Sequence, residues 1–132
     1  MPEVSLRNKI LLVEDDNSMG YLLTTLLEGE GFTVTHCTDG ENALEAYRPH
    51  GFDLCILDVM MPRMDGFALA SKLRVIDPQV KFLFLTARSL KEDMLQGFAL
   101  GAEDYIRKPF DKEELHCRLK VMMRRHETSA EH

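Results

Sequence analysis

Five short apolar or β-branched runs recur along the chain. They are Lys9 to Val13 (KILLV), Phe32 to Cys37 (FTVTHC), the run from Phe52 that ends in Asp58, Lys81 to Leu85 (KFLFL) and Asp104 to Arg107. Near-continuous apolar character over so few residues is the mark of strands buried on both faces. The segments between them have helical periodicity. Asn17 to Glu28 carries Met19, Leu22, Leu23, Leu26 and Leu27 at i, i+3, i+4, i+7 and i+8, and Gly29 and Gly31 stop it. Asp39 caps a short helix with Ala43, Leu44 and Tyr47, ended by Pro49 and Gly51. Phe67 to Ile76 presents Phe67, Ala70 and Leu73 and closes at Asp77-Pro78. Ser89 and Glu92 form a capping box for a fourth helix to about Leu100, stopped by Gly101. Asp111 and Glu114 open a fifth, with Leu115, Leu119, Met122 and Met123, to about Arg125. Strands alternating with helices predict an α/β fold, a doubly wound five-stranded parallel sheet with five helices and right-handed connections.

With 132 residues the chain suits a single domain over residues 1–125, leaving 126–132 as a loose tail or the start of a linker. A formal charge of -6 speaks against nucleic-acid binding by this domain itself. Cys37, Cys55 and Cys117 have neither metal-site spacing nor an even count, so they read as small apolar residues in a reducing compartment. No stretch reaches the roughly 18 apolar residues of a membrane span, and residues 1–10 lack a signal peptide's apolar run. The expected location is the cytoplasm.

In an open parallel sheet, functional groups gather beyond the carboxyl ends of the strands. Here strand one ends in Glu14, Asp15 and Asp16, strand three in Asp58, strand four in Thr86, and strand five in Lys108-Pro109. Any of these residues alone has an ordinary explanation as a turn, cap or surface group; four convergent strand ends do not. If strands one and three are neighbours, about 4.8 Å apart, Glu14, Asp15 and Asp58 crowd together. Uncompensated, they would raise one another's pKa. Two remedies are at hand, a hard divalent cation such as Mg²⁺ on oxygen ligands and the Lys108 ammonium. An ionised Asp58 so placed is a nucleophile for phosphorus, with Thr86 offering a hydroxyl to the transferred group.

The set LVEDD (12–16), LDVMMPRMDG (57–66), LTAR (85–88) and GAEDYIRKPF (101–110) resembles the receiver domain of bacterial two-component response regulators, over about residues 8–125. The resemblance implies a flavodoxin-like receiver fold with strand order 2-1-3-4-5, the order that a chemotaxis member of this family illustrates. It implies Asp58 as phospho-acceptor from a sensor histidine kinase. Asp15 would hold Mg²⁺ directly, Glu14 through water, and Met60 through its backbone carbonyl. Lys108 would pair with the phosphate and precede a cis peptide bond. Thr86 and Tyr105 would form the switch pair. Asp16, which matches no acid of the family, reads as a helix cap.

The C-terminal stretch is similar to the OmpR/PhoB branch, whose members are transcriptional regulators that dimerise through the fourth helix, fifth strand and fifth helix. Matching positions imply cross-dimer ion pairs Asp104 to Arg118 and Glu103 to Arg125. Glu114 would face a basic residue in the fourth helix, but that position is Met94. The implied partners are therefore a histidine kinase and a second copy on phosphorylation, with DNA contacted through a C-terminal domain outside this segment. The alternatives are a stand-alone receiver acting by docking and a haloacid-dehalogenase-like phosphatase. The latter wants a second Asp at position 60, where this chain has Met. A flavodoxin-like nucleotide site would need a phosphate loop where Glu14 to Asp16 stand. Three further readings concern single residues. Met60 and Arg88 are large enough to shield a phosphoryl group from water, Gly66 reads as a turn residue needing positive φ, and the five histidines show no metal spacing.

Overall fold

A computed structural model describes residues 9–87 and 91–131, with side chains over 9–87 and 91–122. Strands β1 (Lys9–Val13), β2 (Thr33–Cys37), β3 (Leu54–Asp58), β4 (Phe82–Thr86) and β5 (Tyr105–Arg107) alternate with helices α1 (Asn17–Gly29), α2 (Gly40–Ala46), α3 (Gly66–Ile76), α4 (Lys91–Ala99) and α5 (Lys112–Glu131). The strands form one sheet in the order β2-β1-β3-β4-β5, every pair parallel. Strand order reverses between β1 and β3, which places the ends of these two strands side by side.

The two-residue period of a strand divides the core into two layers. Ile10, Leu12, Ile56, Leu83, Leu85 and Ile106 face one way and pack on Leu23 and Leu27 of α1 and Leu115, Leu119 and Met122 of α5. Leu11, Val13, Cys55, Leu57, Phe84 and Tyr105 face the other way, onto Ala43, Tyr47 and the Phe67, Ala70 and Leu73 face of α3, with Met94 of α4 alongside. Covered on both sides, β3 and β4 bury every residue. The edge strand β2 exposes Thr33 and Thr35.

Aspartates fix where the helices begin. Asp16 Oδ1 accepts from the backbone N–H groups of Ser18 and Met19 at 2.8 and 3.1 Å, Asp39 from Asn42 at 2.7 Å, Asp65 from Ala68 at 2.8 Å and Asp111 from Glu114 at 2.7 Å. Each satisfies N–H groups that a helix leaves unpaired in its first turn. Asp16 is thus the cap its sequence context suggested.

Element edges move by a residue or so: β2 starts at Thr33, β4 runs from Phe82 to Thr86, and β5 begins at Tyr105. In α1 the buried face is Gly20, Leu23 and Leu27, while Leu22 is 49% exposed, so the apolar stripe is narrower than its leucines suggest. Helix α5 continues past Arg125 to Glu131, because neither glycine nor proline interrupts 126–131. Of the capping box before α4, Ser89 and Leu90 lie outside the described residues. At the sheet end that β3 and β4 enter, Tyr47 Oη donates to Asp77 Oδ2 at 2.6 Å. The bond holds the Asp77 carboxyl below its ordinary range. Burial, followed by the same contact, raises the Tyr47 phenol.

Candidate functional site

Asp58 is the last residue of β3, paired in register with Leu85, and only 4% exposed. Glu14 follows β1 and is 1% exposed; Asp15 beside it is open to solvent. One oxygen from each of Glu14, Asp15 and Asp58 lies within 4.8 Å of the others. Lys108, just past β5, reaches over to Glu14 Oε1 at 2.9 Å and stands 3.7 Å from Asp58 Oδ2. The Lys108-Pro109 peptide is cis. The Lys108 backbone N–H donates to the Thr86 carbonyl at 2.6 Å, joining the ends of β4 and β5. Thr86 itself is fully buried.

Burial pushes the Asp58 carboxyl up to about 7, helped by a hydrogen bond to Glu14 and by its charge. The Lys108 ammonium and the Met60 N–H, which donates to Asp58 Oδ1 at 3.2 Å, oppose the rise without cancelling it. Three carboxylates therefore face one ammonium. An oxygen-only donor set with a deficit of positive charge fits a small, hard dication and has no nitrogen or sulfur ligand for a softer metal.

The other expected residues fall in two groups. Tyr105 is 5% exposed, its ring turned inward between Phe84 (centroids 6.2 Å apart) and Phe98 (6.4 Å). Arg118 bonds within the chain to both oxygens of Asp104, at 3.1 and 2.9 Å, and to Glu114 Oε2 at 3.1 Å. Residues expected to pair across a dimer thus form a cluster in one protomer. Met94 is partly buried and packs against the core. The backbone of Glu103 joins β4 through the Phe82 carbonyl; the side chain of Arg125, its expected partner, lies outside the described residues, as does Arg88. Met60 is 52% exposed beside Asp58.

Two features of the site escaped sequence reasoning. Gly66 has no positive φ; a Cβ there would sit 2.5 Å from the Asp58 carbonyl oxygen and 2.9 Å from Val59 Cα, so glycine is required for close backbone approach. His36 Nε2 lies 2.9 Å from the Glu14 carbonyl oxygen. A lone histidine bonded to backbone leaves no spacing pattern, and its only trace is a glycine, Gly20, inside an amphipathic helix.

Comparison with known proteins adds an independent line. Residues 10–120 match the response regulator receiver domain. Over 117 residues the chain is 46% identical to the transcriptional regulatory protein RprY of Bacteroides fragilis, covering 89% of this chain and 50% of that protein. The chain spans about half the length of the curated relatives it matches. The non-phosphorylated receiver domain of HemR from Leptospira biflexa superposes with a TM-score of 0.84 at 39% identity, covering 88% of this chain and 94% of the other. DrrB of Thermotoga maritima, an OmpR/PhoB homolog, superposes at 0.80 with 31% identity, over 90% of this chain and 54% of its own. Among the described residues no helix is long and apolar enough to cross a membrane. A matching family profile, a matching fold and acids gathered where that fold reverses its strand order agree: this chain belongs to the response regulator receiver domains, a signalling family.

Proposed function

We propose that Asp58 is the phospho-acceptor of a Mg²⁺-dependent switch, receiving its phosphoryl group from a sensor histidine kinase in the cytoplasm. One observation carries the reading: a buried strand-end carboxylate gathered with two other acids inside 4.8 Å, with a lysine ammonium 3.7 Å away. Asp15 and Asp58 would hold the cation directly, Glu14 through water, and the Met60 carbonyl would complete the protein's share. When bound, Mg²⁺ supplies positive charge to ionised Asp58 and to the transferring oxygens.

The residues of the chain do the rest. One Asp58 oxygen attacks phosphorus as the bond to the donor's imidazole nitrogen breaks. The Met60 N–H fixes the orientation of that carboxylate. Lys108 neutralises a phosphoryl oxygen, and the Thr86 hydroxyl donates to another. Thr86 leads into the segment before α4, so its movement, followed by repacking of Tyr105 against Phe98 of α4, would carry the change to the α4, β5 and α5 face.

Dimerisation on that face would exchange the internal Asp104 to Arg118 pair for its two-fold equivalent, and would engage Glu114, Glu103 and Arg125. The names of the relatives, transcriptional regulatory proteins and a DNA-binding response regulator each about twice as long, support a DNA-binding output through a further domain. The test is incubation with acetyl phosphate and Mg²⁺, followed by intact mass. Wild type should gain one phosphoryl group, and neither Asp58→Asn nor wild type in EDTA should. Equal labelling of Asp58→Asn would overturn the assignment.

A further inference from the structure

We infer that His36 is a positioning residue for the acidic corner. Its Nε2–H, seated over Gly20, holds the Glu14 backbone carbonyl and so sets the geometry in which Glu14 and Asp15 receive a divalent cation. The inference rests on reading that corner as the cation site.

The Glu14 backbone is gripped from both sides by the last two residues of β2. Its N–H donates to the Cys37 carbonyl at 3.0 Å, and its carbonyl lies 2.9 Å from His36 Nε2. A carbonyl oxygen only accepts, so Nε2 carries the proton in this contact whatever the charge of the ring. The consequence reaches Asp15 as well. The Glu14 C=O and the Asp15 N–H belong to one planar peptide unit, so fixing the oxygen fixes the plane from which the Asp15 Cα departs. The Glu14 side chain is separately held by Lys108 at 2.9 Å and by the Asp16 N–H at 3.2 Å. The carbonyl bond is therefore the contact that orients the exposed acid, Asp15, rather than the buried one.

Gly20 shows that the ring has a built seat. A Cβ on Gly20 would lie 2.1 Å from the His36 Cε1 and 2.4 Å from Nε2, so no other residue leaves room for the ring where it is. The backbone of Gly20 is ordinary helix, bonded to the Asp16 carbonyl at 2.8 Å, and does not itself require glycine. Glycine is a poor helix former, and its presence here is explained by the space that the imidazole needs. The ring's polar contact is the Glu14 carbonyl just past β1, and α1 meets the ring with Gly20.

The experiment compares the 132-residue chain with its His36→Leu, His36→Gln and Gly20→Ala variants, each checked for folding by thermal unfolding in EDTA. The Asp15 amide resonance without metal and the Mg²⁺ dissociation constant by calorimetry are the readouts. His36→Leu should shift the Asp15 amide and weaken Mg²⁺ binding about tenfold. His36→Gln, whose amide nitrogen reaches the same place, should restore both. Gly20→Ala should imitate His36→Leu, although alanine favours the helix. An unmoved Asp15 amide in His36→Leu overturns the inference whatever the metal does, and so does equal weakening by Leu and Gln. Wild type without Mg²⁺ affinity sinks the cation reading itself.

Discussion

The Lys108 ammonium is bonded to Glu14 at 2.9 Å and stands off from Asp58 at 3.7 Å. In this state the lysine serves Glu14 more closely than the proposed phospho-acceptor, and a phosphoryl group on Asp58 would have to draw it away. Lys108→Met leaves Glu14, 1% exposed, without its charged donor. Loss of a hydrogen bond between charged groups should lower stability by roughly 2 kcal/mol at pH 8, read by urea unfolding. Unchanged stability would mean that water replaces the ammonium. Phosphorylation by acetyl phosphate should also slow in the same variant.

Because the Asp58 carboxyl is raised from 3.8 to about 7, folding favours its protonated form. Its stabilising contribution is whole below pH ~4 and is lost as pH rises through ~7. Asp58→Asn should therefore be more stable than wild type at pH 8, by on the order of 4 kcal/mol, and the difference should vanish near pH 4. The proposed Mg²⁺ would bind the ionised site, so it should raise the wild-type thermal midpoint more at pH 8 than at pH 6. A pH-independent difference between the two proteins would contradict this account.

Gly66 sits against backbone that cannot swing aside, 2.5 Å from the Asp58 oxygen to a Cβ that alanine would add. Gly66→Ala should cost about 1–3 kcal/mol by denaturant unfolding and should reduce Asp58 phosphorylation, since the displaced atoms belong to that residue and to Val59. Wild-type stability would show that the loop yields freely.

Tyr47 and Asp77 lie away from the site and test the frame beneath it. Tyr47→Phe removes the 2.6 Å bond and should destabilise by about 1 kcal/mol at pH 7. The Asp77 carboxyl is lowered by that bond, so its share of stability is present above pH ~4 and is lost as pH falls through its lowered value. The gap between Tyr47→Phe and wild type should accordingly narrow at pH 2 to 3, measured by the same unfolding curves.

The strands were legible because a doubly covered strand favours apolar residues: all ten positions in β3 and β4 are buried, and the only polar ones, Asp58 and Thr86, are their last residues. The acids at strand ends were legible because burial leaves few places for a charge. Gly66 was misread because a glycine required by sterics and one required by dihedral look identical in one dimension. The pairing of Arg118 with Asp104 and Glu114 inside one protomer left no trace in the sequence, because the three residues meet only once β5 and α5 are packed side by side. His36 gave no signal because it bonds to a carbonyl 22 residues earlier, an acceptor that every residue carries.

Sequence alone determined the alternating elements, the parallel sheet and the set of charged strand ends, since all follow from local periodicity and from the cost of burying charge. Only tertiary structure decided how these ends meet: which acid Lys108 favours, that Asp58 is driven toward its neutral form, and that an imidazole over a bare glycine holds the Glu14 carbonyl. Distances of a few ångströms between residues up to 94 apart set those relationships, and no local pattern records them.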